Sequence, residues 1–593
     1  MSTPSPEGVG QAPEFIARGA SLTLRHQGKL VALLALAWAA LNLPAILPLP
    51  NQTNQVDYPK FILQALRIVE GVGSGRLYVP GYPEYPLADM FYAPIYALLG
   101  WSPDWLMLTG WLGSVVLYCG LWFVPYLIAR QLSRQLTVGG VQYLPVLTGV
   151  LMFLTPLPYG LLREAPYALF PCLAGLTCWQ LLKLHAGGGP RNLGAASAFA
   201  ALAALTRTDG LVLLIALAVV VVALTAWPRL SRRYAQVQGW RVQMIAALVL
   251  PMVLLLGAYL GAHKLANGAF NPSLERHSQV SYLYFEMGKL VDAESIRRMP
   301  EHVAQTRAAF GLPEANQHSV LRAGLRNPLA MGLRIGASLA MAGPAFLDGY
   351  GIISGSAIAA LAALGLVSLV RLGFVGTVLL LVGSCSFIVL YLPFHLDGSF
   401  VSLPYFAILP VAAYGILAVA TTVTQLPLPR AVTGPRLVAV LGAVAVLGAG
   451  LQYASSPNFE GQRLIMWPQL GITSEEQVAH FMRHNLEIHS SVATTSTLVP
   501  AMAKMVPVTM IPLLFEADSD DTGPLERWLK EQKVTAIYLS PDMESVAPKR
   551  YRVILNRLGL TAVFTWQEQN PNRLAGCKAV GLSCIHTVLK PHF

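Results

Sequence analysis

The chain has 593 residues, of which 54% are apolar and 12% are charged, and its mean hydropathy is +0.53. Soluble domains carry about 25% charged residues, so this composition excludes an ordinary soluble enzyme and predicts an integral membrane protein. The net charge of +11 is not gathered into a compact Lys/Arg block, which excludes nucleic-acid binding.

About eleven apolar runs predict transmembrane helices, because many of them approach or exceed the length that spans a bilayer. They lie at residues 30–48, 104–129, 143–159, 166–185, 193–206, 210–227, 242–262, 352–370, 373–393, 403–423 and 437–453. Arg and Lys are concentrated before the first span and in the short loops that follow every second span. The positive-inside rule therefore places the N-terminus in the cytoplasm, and an odd number of spans places the C-terminus outside.

The polar residues between and beyond these spans define the domain organisation. Residues 1–29 are predicted to be a cytoplasmic N-terminal segment, and residues 30–453 a membrane domain. Two long stretches within it, the first loop (49–103) and the second loop (263–350), are predicted to lie on the exoplasmic side. The tail (454–593) is predicted to be an exoplasmic domain on the periplasmic or extracellular face.

Residues 328–348 within the second loop form a further apolar stretch. Arg334 and two flanking prolines interrupt it, which predicts a helix lying in the membrane interface rather than across it. If the stretch crossed the membrane, the tail would lie in the cytoplasm.

The tail has the pattern of a small α/β domain. Five β-branched apolar runs, in SVATTSTLV, VPVTMIPLL, VTAIYLS, TAVFTW and CIHTVL, predict strands. Helical periodicity lies between them in SEEQVAHFMRHN, TGPLERWLKEQK and KRYRVILNRLG. Cys577 and Cys584 are candidates for a disulfide if the tail lies outside the cytoplasm.

The first loop contains a residue suited to chemistry. Apolar residues at helical spacing predict an amphipathic helix over 59–70 on the membrane surface, directly after Asp57. An aspartate in this position caps a helix more often than it catalyses a reaction, so the residue alone leaves both interpretations open.

The order of features around Asp57 resembles a known class of enzyme. A span, an acidic residue, an amphipathic helix ending in glycine, a Tyr-rich turn and a Pro-anchored apolar helix resemble the GT-C glycosyltransferases, which include protein O-mannosyltransferases and aminoarabinose transferases. In that class the acid of the first loop lies in the active site, and Asp57 matches it. The stretch from Tyr85 to Leu99 looks like the membrane-reentering helix that follows.

Two further turns are similar to the class pattern. Arg163 and Glu164 lie in PLPYGLLREAPYALF after the third span, and Arg207 and Asp209 lie in ALTRTDGLVLL between the fifth and sixth spans. The alternative for Arg207 and Asp209 is a mutual ion pair that stabilises the turn, and the same alternative applies to Arg163 and Glu164.

Other cations could hold a lipid phosphate. The class often has Arg or His before a Pro-rich stretch near the ninth and tenth spans, whereas this chain has YLPFHLDGSFVSLPYFAILP, in which His395 and Asp397 are the ionisable candidates. Lys264, at the end of the seventh span, could meet phosphate or anchor its helix.

The resemblance implies a mainly α-helical GT-C fold with about eleven transmembrane helices. It also implies an inverting transferase that takes a sugar from a polyprenyl-phosphate donor. The acceptor would be a glycan, a lipid or a protein, and a bacterial inner membrane is the expected location. Asp57 is the predicted general base, because the acceptor hydroxyl must lose a proton, and Glu164 would orient the acceptor or hold a divalent cation.

The leaving phosphate develops negative charge, which arginines stabilise through bidentate hydrogen bonds. Arg163, Arg207, Asp209, His395 and Lys264 are therefore the predicted binding residues. The alternatives are a transporter or lipid-glycan flippase, for which internal repeats are expected and none is evident, and a non-catalytic envelope scaffold.

Overall fold

In the computed structural model, the described residues are 14–42, 58–80, 86–99, 103–136, 140–162, 165–226, 240–268, 270, 274–288, 299–394, 396, 398–424, 474–488, 490–494, 499–500, 503–509, 523–540, 548–557, 560–567, 583 and 585–591.

Helices account for most of the described part of the membrane domain. They are α1 (Glu14–Leu41), α2 (Tyr58–Gly73), α3 (Pro86–Leu99), α4 (Pro103–Gln135), α5 (Leu144–Phe153), α6 (Leu157–Leu162), α7 (Ala165–His185), α8 (Pro190–Thr206), α9 (Gly210–Ala226), α10 (Trp240–Asn267), α11 (Leu274–Met287), α12 (Met299–Phe310), α13 (Val320–Arg326), α14 (Pro328–Tyr350), α15 (Ile352–Arg371), α16 (Val375–Ser384), α17 (Gly398–Ser402) and α18 (Tyr405–Thr424). Short 3-10 helices cover Val141–Tyr143, Glu314–Asn316 and Ser386–Tyr391.

Membrane-spanning capacity is clear for several of these helices. Among the described residues, five segments are long and apolar enough to cross a bilayer: Leu112–Gln135, Tyr167–His185, Arg241–Asn267, Pro328–Leu347 and Ser354–Arg371. Shorter apolar helices include His26–Leu41 and Tyr405–Thr421. The chain is therefore a helical membrane protein, and the predicted number of spans stays a prediction.

Two predicted spans are interrupted. The run 143–159 was expected to be one helix, but α5 ends at Phe153 and α6 begins at Leu157, after Pro156, a residue that cannot donate a helical hydrogen bond. The run 373–393 divides into α16 and the 3-10 helix Ser386–Tyr391. Apolar composition alone does not distinguish these forms. The predicted span 437–453 lies outside the described residues.

The stretch 328–348 forms one continuous helix of 23 residues, α14, although Pro344 lies inside it. Its length and composition would allow it to cross a membrane. Arg334 joins it to the preceding helices of the second loop, because Nη2 donates to the carbonyl of Phe285 at 2.5 Å and the guanidinium lies 4.2 Å from the Phe285 ring centroid.

The α/β prediction for the tail is confirmed. Five strands form one sheet: β1 (Ser491–Thr494), β2 (Val506–Thr509), β3 (Val534–Leu539), β4 (Thr561–Gln567) and β5 (Ile585–Lys590). Three helices accompany them: α19 (Ser474–Asn485), α20 (Gly523–Glu531) and α21 (Pro548–Arg557). The strand order is β2-β1-β3-β5-β4, with β1 parallel to β2 and β3, and β5 antiparallel to β3 and β4. Cys577 and Cys584 lie outside the described residues.

The tail contacts both loops of the membrane domain. Lys504 forms an ion pair with Glu70 of α2 at 3.0 Å. Met287 of α11 is buried in the cluster that contains Leu525 and Leu529 of α20. The first loop, the second loop and the tail are thus neighbours in space, as expected of segments that lie on one face of a membrane. The identity of the membrane face on which they lie remains a prediction.

Candidate functional site

A sharp turn between α8 and α9 carries the two candidate residues that the structure describes best. The chain leaves α8 at Arg207 with extended backbone (φ −152°, ψ 142°), and α9 begins at Gly210. A Cβ atom on Gly210 would overlap the backbone of Ala203 and Ala204, so the close return of the chain requires glycine here. The turn buries both charged side chains, with Arg207 6% exposed and Asp209 7% exposed.

Arg207 and Asp209 form an ion pair. The Arg207 Nε donates to Asp209 Oδ2 at 2.8 Å, so the mutual ion pair anticipated as the alternative interpretation is present. Burying two charges is costly unless each is paired and hydrogen-bonded. Ionisable groups buried next to membrane helices are functional candidates by default. The residues around the Arg207–Asp209 pair indicate whether the pair has a role beyond stabilising the turn.

Aromatic side chains from two other parts of the chain surround the guanidinium. Arg207 Nη2 donates to the Tyr391 hydroxyl at 3.0 Å, and that hydroxyl donates in turn to Asp209. The Arg207 Cζ atom lies 4.6 Å from the Tyr167 ring centroid and 5.9 Å from that of Phe400. Tyr391 and Phe400 stack with centroids 4.1 Å apart. We call Tyr167, Arg207, Asp209, Tyr391 and Phe400 the arginine cluster.

Helix α3 of the first loop packs close to the same turn. Leu87 and Met90 belong to the hydrophobic cluster formed by Leu205 of α8 and Tyr259 of α10. Asp89 lies between them in the first turn of α3 and is fully buried. A carboxylate in the first turn of a helix interacts favourably with the helix dipole, and Asp89 has this position in α3.

Helix α2 is held by the chain that follows it. The Tyr78 hydroxyl donates to Gln64 Oε1 at 2.5 Å, and Arg67 lies 4.9 Å from the Tyr78 ring centroid. The next two carbonyls are bound by α10, because Asn267 donates to Val79 at 2.9 Å and Tyr259 donates to Pro80 at 3.0 Å. Helices are present at both predicted positions, as α2 and α3, and their placement relative to the membrane stays a prediction.

Several predicted site residues lie outside the described part of the chain. They are Asp57, Arg163, Glu164, His395 and Asp397. Lys264 is described and exposed, and its Nζ donates to the Gly268 carbonyl at 2.8 Å and lies 5.1 Å from the Phe270 ring centroid. These contacts at the end of α10 fit the helix-anchoring alternative for Lys264.

The aromatic members of the arginine cluster were not predicted from the sequence. A signal was present, because Tyr167 follows Glu164 by three positions, Tyr391 precedes His395 by four, and Phe400 follows Asp397 by three. Within the described ranges, no group of three or more His, Cys, Asp or Glu side chains is arranged to hold a metal ion.

Comparisons with known proteins find similar overall architectures among solved structures and no matching protein family. No protein-family profile matches the chain, and no curated protein matches it. The chain is similar to the archaeal oligosaccharyltransferase AglB from Archaeoglobus fulgidus, solved with an inhibitory peptide and a dolichol-phosphate (13% identity, TM-score 0.49, covering 92% of this chain and 73% of that one). It is also similar to ArnT from Cupriavidus metallidurans in the apo state (13% identity, TM-score 0.37, covering 93% and 97%) and bound to undecaprenyl phosphate (12% identity, TM-score 0.35, covering 93% and 97%).

Both proteins are GT-C glycosyltransferases, the class that the sequence resembles. At these TM-scores the likeness transfers no residue roles to this chain.

Proposed function

We propose that this chain is an inverting GT-C glycosyltransferase. It moves a sugar from a polyprenyl-phosphate donor to a glycan, lipid or protein acceptor on the exoplasmic face of a bacterial inner membrane. A polyprenyl donor does not leave the bilayer, which explains why the enzyme is built from membrane helices.

The convergence of distant chain segments at Arg207 carries this proposal. Tyr167 and Tyr391, which contact Arg207, border the segments that contain Glu164 and His395 in sequence. Leu205, two residues before Arg207, packs against α3 of the first loop. Residues that border two of the stretches chosen from sequence therefore meet at the turn of a third, next to a helix of the first loop, and this arrangement supports an active site there.

Each residue has a defined role in the proposed reaction. Asp57 accepts the proton of the acceptor hydroxyl as that oxygen attacks the anomeric carbon. The bond from that carbon to the phosphate oxygen breaks, and cations stabilise the departing phosphate. Arg207, with Arg163, is the proposed cation, and Asp209 and Tyr391 hold the guanidinium fork in a fixed orientation. Glu164 orients the acceptor or holds a divalent cation, and His395 and Lys264 are further phosphate candidates.

The transporter or flippase is the second candidate function. Transporter sites are expected near the bilayer midplane between repeated halves. The arginine cluster instead lies at a helix–helix turn next to the first loop, which favours transfer at one face.

Asp57→Asn tests the proposed function. Purified wild-type and variant proteins in liposomes receive a panel of radiolabelled undecaprenyl-phosphate sugars, with membranes from a gene-deletion strain as the source of acceptor. We expect the variant to lose about 10²- to 10⁴-fold in transfer while its binding of undecaprenyl phosphate, measured by native mass spectrometry, is unchanged. Glu301→Gln, in the exposed first turn of α12, is the control. Transfer at the wild-type rate by Asp57→Asn would overturn the role of Asp57, and absence of transfer by the wild-type protein across the panel would overturn the proposed function.

A further inference from the structure

The tail touches the helix that begins next to the proposed base. Helix α2 begins at Tyr58, the residue after Asp57 in sequence, and carries Glu70 in its last turn. Lys504 Nζ lies 3.0 Å from Glu70 Oε1, and the two side chains are 16% and 35% exposed.

The backbone fixes the position of Lys504. Its φ of 60° lies in the left-handed region that favours glycine. The turn is closed by hydrogen bonds from the amides of Ala503 and Met505 to the Pro500 carbonyl, and both of these neighbours are fully buried. The turn and its buried neighbours therefore fix the point from which the Lys504 side chain reaches α2.

We infer that the tail positions α2 through Lys504, and with it the start of the helix beside Asp57. Lys504 is a positioning residue, because it acts through Glu70 and α2 rather than on the substrate. This inference rests on the proposed function for its effect on turnover, whereas the docking of the tail on α2 can be measured independently of any substrate.

Helix α2 is also held on its other side, so the contact with Lys504 can set the position of the helix. Gln64 and Arg67 of α2 contact Tyr78, and the adjacent carbonyls of Val79 and Pro80 are bound by α10. Helix α2 is thus connected to the membrane helix α10 through residues 78–80 and to the tail through Lys504. Loss of the Lys504 ammonium would release only the tail side.

The test compares Lys504→Gly with Lys533→Gly. Lys533 lies in the same domain, also has positive φ (51°), and is exposed. Glycine relieves the left-handed backbone at both positions, so neither variant is expected to unfold the tail, and only the first removes the ion pair. We expect Lys504→Gly to lower kcat about three- to fivefold with an unchanged KM for the undecaprenyl-phosphate donor. Hydrogen exchange over residues 58–73 should become faster, whereas Lys533→Gly should match wild type in both measurements.

Two further measurements distinguish positioning from a general structural role. The charge exchange Glu70→Lys with Lys504→Glu should restore kcat. At about 1 M salt, which weakens a partly buried ion pair less than an exposed one, the wild-type rate should fall part of the way toward that of Lys504→Gly, and the variant should change less.

Equal kcat and equal exchange in the two glycine variants would overturn the inference. If the wild-type protein transfers no sugar while Lys504→Gly still loosens α2, the proposed function fails and the docking role stands. If Asp57→Asn abolishes transfer and the two glycine variants are equal, the reverse holds.

Discussion

Arg207 and Arg334 are both set among apolar helices, but different groups surround them. Arg334 donates to a backbone carbonyl and to the Thr306 hydroxyl, and it stacks on Phe285, so it joins α14 to two helices of the second loop through neutral partners. Arg207 is bound by a carboxylate and a phenol, and candidate residues flank its aromatic neighbours in sequence. An arginine in an apolar run therefore predicts a hydrogen-bonding partner. Neutral partners indicate a structural contact, whereas a carboxylate partner beside other ionisable residues indicates a candidate site.

The largest difference in stability between the two regions is expected from a substitution in the turn between α8 and α9. Gly210→Ala would force a Cβ into the backbone of Ala203 and Ala204, and the turn that carries Arg207 would have to open. We expect a loss of stability of more than about 4 kcal/mol, seen as a low yield of folded protein and a lower Tm in detergent. Gly336→Ala in α14, near Arg334, is the control, because a Cβ there meets nothing within 4 Å. Similar behaviour of the two variants would show that the turn is not tight.

The next contrast removes one charged partner in each region. Asp209→Asn leaves the Arg207 charge buried without its counter-ion, which should lower stability by about 3 kcal/mol and greatly reduce sugar transfer. Arg334→Met removes hydrogen bonds to neutral groups and should cost about 1–2 kcal/mol, with transfer retained in the folded fraction. Thermal unfolding and transfer per folded molecule are the measurements. Equal losses of transfer in the two variants would remove the functional distinction between the arginines.

The smallest contrast concerns two stacked tyrosines. Tyr391 stacks on Phe400 at 4.1 Å and hydrogen-bonds both members of the ion pair. Tyr350 of α14 stacks on Phe346 at 4.2 Å, and its buried hydroxyl has no hydrogen-bond partner among the described residues. Tyr391→Phe should cost about 1–2 kcal/mol and lower transfer, whereas Tyr350→Phe should be neutral or slightly stabilising. A neutral Tyr391→Phe would argue against a hydrogen-bonded arginine cluster.

The sequence was informative about helices because hydrocarbon tolerates only long apolar segments with internally bonded backbones. The predicted spans 166–185 and 210–227 correspond to α7 and α9 within one residue at each end. The Arg207–Asp209 pair was also anticipated, because its members are two positions apart. The change from α16 to the 3-10 helix that ends at Tyr391 was not predicted, because an apolar run has the same composition in both kinds of helix.

Long-range partners could not be predicted in the same way. Tyr391 lies 184 positions from Arg207, and Lys504 lies 434 positions from Glu70. Periodicity describes the face of one helix and carries no information about which distant residue meets it. The roles of Asp57, Arg163, Glu164 and His395 stay predictions, because these residues lie outside the described part of the chain.

The separation between Glu70 and Lys504 has a consequence for biosynthesis. At roughly 5–20 residues per second, the ribosome needs roughly 20 to 90 seconds to add the 434 residues between them. Helix α2 is therefore without Lys504 while almost all of the membrane helices are inserted. If the ion pair completes the working geometry, a nascent chain consumes donor lipid more slowly until the tail has folded, and assembly itself delays full activity.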